Sequence, residues 1–180
     1  MTEVEAVAAA GTTHPAARRA WAVASTVADP ELPMLTLADL GVLREVDVDE
    51  VGGVTVSITP TYTGCPAMDT MRDDLVHALR RSGFGPVQVR VVLRPAWSTD
   101  WISEDGRRKL AAAGIAPPGT APRRAAGPVP LTLHPPARTV PCPLCGSAET
   151  ELTSEFGATA CKALRRCRVC REPFEHVKEI

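Results

Sequence analysis

Two cysteine pairs dominate the chemistry open to this chain. Cys142-Pro-Leu-Cys145 and Cys167-Arg-Val-Cys170 are C-x-x-C units with 21 residues between them. That is the spacing of a four-cysteine zinc ribbon, in which each pair forms a knuckle whose backbone amides support the thiolates. Gly146 suits the tight turn after the first pair. A tetrathiolate site makes zinc the expected metal; an iron–sulfur cluster takes the same ligands and is the alternative. A segment of about 40 residues buries too little apolar surface to fold alone, so the metal is expected to supply much of its stability. Cys161, between the knuckles, reads as a buried small side chain, with an extra ligand as the alternative.

Cys65 stands apart from the other five cysteines, in Thr61-Tyr-Thr-Gly64-Cys65-Pro66. Pro66 fits the first position of a helix, which makes Cys65 the expected N-cap. A thiol there faces unpaired amides and the positive end of the helix dipole, which favours the thiolate. Gly64 permits a left-handed backbone. A reactive or metal-binding Cys65 and a packed structural one both remain open. No histidine is near in sequence to act as its base, and His77 is expected on the surface of the following helix.

These groups need elements to position them. Pro15 to Ala28 reads as a short Ala-rich helix stopped at Asp29-Pro30. Val42 to Asp49 reads as a strand, Gly52-Gly53 as a hairpin turn, and Val54, Val56 and Ile58 as a half-buried strand. Met68, Met71, Leu75 and Leu79 form a helical apolar stripe that Gly83 closes. Val87, Val89, Val91 and Leu93 alternate as a third strand, and Ser103 caps a last helix ending at Gly114. The order predicts an α/β (α+β) fold: a small β-β-α-β sandwich with flanking helices, followed by a four-cysteine zinc-ribbon-like module. The expected divisions are a flexible leader over 1–14, the α/β domain over 15–115, a Pro-rich linker over 116–140 and the ribbon over 141–180. The linker carries seven prolines, three arginines and no acid.

The acids Asp29, Glu31 and Asp39 precede the first strand, where they either form turns and caps or support chemistry at Cys65. Trp97 and Trp101 flank an irregular stretch and read either as lids on the core or as exposed docking anchors. Arg165, Arg166, Arg168 and Arg171 form a basic run, but six acids neutralise the segment and no aromatic is interleaved. That favours a solvated face or an acidic protein partner over nucleic acid. The chain of 180 residues has a net charge of −1, and neither an export signal nor a spanning run is read in it. A cytoplasmic protein without nucleic-acid or membrane partners is the expectation, with its cysteines as ligands or thiols rather than disulfides.

Asp29-Pro30-Glu31, Asp39-Leu40-Gly41 and Thr61-x-x-Gly64-Cys65-Pro66 together resemble the MIP18 family, over residues 20–115. The resemblance implies a part in iron–sulfur cluster assembly, with Cys65 as the reactive or metal-transfer cysteine and Asp29, Glu31, Asp39, Thr61 and Gly64 supporting it. Pro95-Ala-Trp-Ser-Thr-Asp-Trp101, Gly114-Ile-Ala-Pro-Pro118 and Phe156-Gly-Ala-Thr-Ala-Cys-Lys-Ala-Leu164, with the ribbon, look like the D subunits of the bacterial phenylacetyl-CoA epoxidase system. That implies a non-catalytic accessory factor in phenylacetate breakdown, with Cys65 as a transient ligand for iron or a cluster. Its implied partners are the oxygenase and reductase subunits, with a homodimer as a further possibility. A structural or regulatory subunit of the oxygenase is the alternative. The chain has no Glu-x-x-His di-iron pair, no dinucleotide fingerprint and no plant-type ferredoxin cysteine run. Relatives often carry an aromatic where this chain has Arg165 and a cysteine where it has Glu179, so the ligand set rests on the four knuckle cysteines.

Overall fold

The computed structural model describes residues 14–62, 64–121 and 139–180. The chain divides into two compact units, residues 1–97 with 101–106, and residues 98–100 with 107–180.

The first unit opens with α1 (Pro15–Ala24), whose Ala17, Ala20 and Ala24 make a buried face at helical spacing. The helix ends earlier than Ala28. Ser25 and Thr26 bond their hydroxyls back to the carbonyls of Trp21 and Val23, and Ala28 is already extended, bridged to Thr36. β1 (Leu43–Val48) and β2 (Val54–Ile58) form an antiparallel hairpin. The turn lies at Gly52-Gly53 as expected, with Gly52 at φ +85 and the Asp49 carboxylate accepting from the amides of Val51 and Gly53.

α2 (Met68–Arg81) then returns the chain to β3 (Val87–Val91), which lies parallel to β2. A helical crossover is what a parallel neighbour requires. Gly83, at φ +82, closes α2, and the Phe84 amide reaches the Leu79 carbonyl. The sheet order is β1-β2-β3. α1 packs on β1, α2 packs on β3, and the two helices touch, so one layer of helices covers one sheet face. Leu35, Leu37, Val56, Ile58, Leu75 and Leu79 are fully buried in this unit. Helix α3 (Glu104–Ala112) starts at Ser103, whose hydroxyl accepts from the Gly106 amide as expected.

The second unit is built on an antiparallel sheet of β4 (Thr150–Ser154), β5 (Lys162–Cys167) and β6 (Pro173–Val177), in that order. The division between units falls inside α3 rather than at residues 115 and 141. The reason lies in the backbone. Ala116 bridges His176, donating to the Glu175 carbonyl and accepting from the Val177 amide. Residues 98–100 join the same unit because the Thr99 amide and hydroxyl bond the Ile180 carbonyl. The start of the expected linker is therefore packed. Its stretch 122–138 and the expected leader up to residue 13 lie outside the described residues. Among the described residues no helix is long and apolar enough to cross a membrane.

Candidate metal centre and the Cys65 loop

The two knuckles repeat one local geometry. The Cys142 amide donates to the Ser147 carbonyl at 2.9 Å, and the Cys167 amide donates to the Glu172 carbonyl at 3.0 Å. Each knuckle needs a left-handed residue after its second cysteine: Gly146 at φ +74 and Arg171 at φ 65. Glycine takes that conformation freely, whereas arginine adopts it only under local constraint. Arg171 is thus part of the site's architecture, and only alignment of the two C-x-x-C units would have shown it.

The sheet brings the pairs together. Cys142 Sγ lies 3.8 Å from Cys170 Sγ, and Cys145 Sγ lies 3.6 Å from Cys167 Sγ. All four sulfurs fall within 4.8 Å of one another. A tetrahedron with Zn–S bonds of about 2.3 Å has edges of about 3.8 Å, so the four thiols fit a tetrahedral metal ion without rearrangement. The cluster also belongs to the unit's core: buried Cys142 and Cys167 pack with Ala116, Val140 and Phe174, and Cys170 packs against them. Cys145 is exposed.

Electrostatics separate the four thiols. Burial pushes the Cys167 thiol up, but the amides of Cys170 and Val169 and the Cys145 thiol outweigh that and bring it down to about 6. For Cys170 the Glu172 amide pulls downward, yet burial and the thiols of Cys167, Cys145 and Cys142 push it up to about 12. Four thiolates crowded this closely repel one another, and a bound dication is what removes that repulsion. Cys161 is buried but is not among the four; its Sγ sits 3.0 Å from the Thr159 hydroxyl.

Cys65 lies on the loop joining β2 to α2, half-buried between exposed Gly64 and Pro66. It is not the N-cap of α2, which is Ala67. Residues 65–67 form a turn in which the Met68 amide reaches the Cys65 carbonyl at 3.4 Å, so the helix begins beyond Pro66. Cys65 thus precedes the first helical turn instead of capping it. Gly64, at φ +85 with open space where a Cβ would be, shapes the approach to the thiol, and Thr61 is half-buried.

The neighbouring motifs take structural positions. Asp29 is buried and accepts from the amides of Glu31 and Leu32 at 2.8 and 2.7 Å. Asp39 and Thr36 cap each other's amides, and the Asp39 carboxylate lies 3.4 Å from the Ser103 hydroxyl. Trp97 is 5% exposed and donates from Nε1 to the Leu40 carbonyl, so it is a core residue and not an exposed anchor. Trp101 is half-buried, with the Arg44 guanidinium 3.7 Å from its ring centroid. Gly41 makes room for it: at φ +69, a Cβ there would lie 2.6 Å from the Trp101 Cβ.

A βαβ unit with a cysteine loop, followed along the chain by a ribbon with four clustered cysteines, defines a class of two-unit proteins with a candidate metal centre. Residues 18–92 match the model of the iron–sulfur cluster assembly protein family, and residues 126–178 match that of the PaaD zinc beta ribbon domain. The chain is 45% identical over 165 residues to the candidate D subunit of a 1,2-phenylacetyl-CoA epoxidase from Escherichia coli (strain K12), covering 91% of this chain and 93% of that one. The chain belongs to that family of D subunits. Over 86 residues, 47% of this chain, it is 36% identical to an Fe-S protein maturation auxiliary factor of Porphyromonas gingivalis, covering 81% of that protein. A crystal structure of a domain of unknown function from Bacillus anthracis superposes with a TM-score of 0.50 at 27% identity, over 53% of this chain and 91% of that one.

Proposed function

We propose that this protein is a maturation factor for the phenylacetyl-CoA epoxidase system. In this reading Cys65 takes iron or an iron–sulfur cluster as transient cargo and passes it to an oxygenase or reductase subunit. The observation that carries it is the composition of the chain. An iron–sulfur assembly unit that bears Cys65 on an approachable loop is joined to a ribbon found with this epoxidase's D subunits. Relatives of the first unit alone are named as Fe-S protein maturation factors.

Within this reading Cys142, Cys145, Cys167 and Cys170 hold zinc, which supplies cross-linking between the knuckles. The chain's own residues shape the rest: the amides around Cys167 stabilise its thiolate, and Cys142 and Cys167 bury their sulfurs in the ribbon core. The ribbon then serves as a docking module, and the protein works in the cytoplasm without chemistry of its own on the organic substrate.

The test replaces Cys65 by Ser in cells that express the epoxidase subunits, and reads iron and sulfide in the purified oxygenase and reductase. The reading expects normal levels of this protein and an under-loaded client. Fully loaded, fully active client would leave a structural subunit of the complex as the better account.

A further inference from the structure

β3 is the outer strand of the first sheet, and among the described residues nothing pairs with its far edge. The Val92 amide donates to Ile58 and the Pro86 carbonyl accepts from Val54, both on the β2 side. Backbone groups alternate in direction along a strand, so Val87, Val89 and Val91 turn their amides and carbonyls outward. The same valines sit in register with Val54, Val56 and Ile58 on the apolar face. Yet Val87 and Val89 are only half-buried and Val91 is 36% exposed, whereas their β2 partners are at most 2% exposed. The edge is therefore unfinished in two ways, in hydrogen bonding and in apolar cover. Unprotected edges of this kind are templates for strand addition.

The sequence of the edge selects its occupant. Val87-Gln-Val-Arg-Val91 reads nearly the same in both directions. We propose that β3 pairs antiparallel with β3 of a second copy of this chain, about a two-fold axis at Val89, giving a continuous six-stranded sheet. In that register Val89 exchanges both backbone bonds with its counterpart, and Val87 does so with the copy's Val91. Every valine meets a valine on the apolar face. On the other face Arg90 stands opposite the copy's Gln88, whose amide oxygen already accepts from Arg90 within one strand at 3.0 Å. Moving the axis to Gln88 sets Val91 against Gly85 and Arg90 against Pro86. Moving it to Arg90 sets two arginines face to face, which is destabilising. Charge and shape thus single out one register and a two-fold symmetric interface. The interface uses no residue of either cysteine site.

Sedimentation equilibrium on the full, metal-loaded, reduced chain tests this. The expected result is a reversible monomer–dimer equilibrium. Gln88→Glu, which sets a carboxylate opposite Arg90 twice, tightens it several-fold, and Gln88→Arg weakens it several-fold. Both side chains are exposed, so folding is unaffected. Val89→Pro removes an amide that β2 does not use and abolishes the dimer. Hydrogen exchange adds a readout of register: the amides of Val87, Val89 and Val91 gain protection as concentration rises, while that of Val92 is protected throughout. A chain that stays monomeric at every concentration overturns the proposal. So does a dimer that responds to neither Gln88 substitution.

Discussion

The two cysteine sites of this protein are built in opposite ways. The four-cysteine cluster is made by the fold: three strands and two matching turns converge, and two of the ligands are core side chains. Cys65 sits on a loop between β2 and α2, half-exposed between exposed Gly64 and Pro66. A site whose ligands are also the core cannot release its metal without unfolding. A single thiol on a loop can gain and lose a ligand at little structural cost. In the proposed function, retention belongs to the ribbon and exchange to the loop.

Removing the ribbon's metal breaks that contrast most severely. Zinc contributes about 10–16 kcal/mol to small structural sites at neutral pH. Strong chelation, or Cys142→Ser with Cys167→Ser, should unfold β4–β6 while α1, α2 and β1–β3 keep their amide protection. Two-dimensional NMR of the full chain, resolved by unit, reads this directly.

Core truncation in the other unit should give the reverse pattern. Leu75→Ala removes a fully buried side chain from α2, at an expected cost of about 2–5 kcal/mol. Denaturant unfolding should show the loss in the transition of that unit, with zinc content per chain unchanged.

The capping acids sharpen the comparison. Asp29→Ala deletes the acceptor for two amides and should cost about 1 kcal/mol, as lost caps do. Asp29→Asn keeps an acceptor oxygen and should recover most of that. If Asp29 served Cys65 by its charge, Asn would fail where Ala fails, and client loading would fall without loss of stability.

Much of the fold was legible because it is periodic. The alternation of Val54, Val56 and Ile58 and the stripe Met71, Leu75, Leu79 are the patterns the sheet and helix bury. With a helix between β2 and β3, parallel pairing follows. The four-cysteine site was legible because spacing alone encodes a knuckle. Three features were not. The start of α2 falls later than the proline suggests, because Pro66 is tolerated equally in a preceding turn and in a first helical turn. Trp97 gave no periodic signal, and its burial depends on the Leu40 carbonyl, 57 residues away in sequence. The claim of Ala116 and Thr99 on the second unit rests on a few bonds to the backbone of residues 175–180, which leave no trace in residue type.

The smallest expected structural effect belongs to Arg171→Gly. It relieves a left-handed arginine in the second knuckle and should stabilise the ribbon by up to about 1 kcal/mol, read as slower zinc loss to a competing chelator.

The contrast between retention and exchange is tested most directly by metal analysis. Iron, zinc and acid-labile sulfide are measured per chain on protein isolated without oxygen, for the wild type and Cys65→Ser. The account predicts one zinc in both proteins, and iron, with or without sulfide, only in the wild type. Iron and sulfide retained by Cys65→Ser would place the cluster on Cys142, Cys145, Cys167 and Cys170 and contradict the division of labour between the two sites.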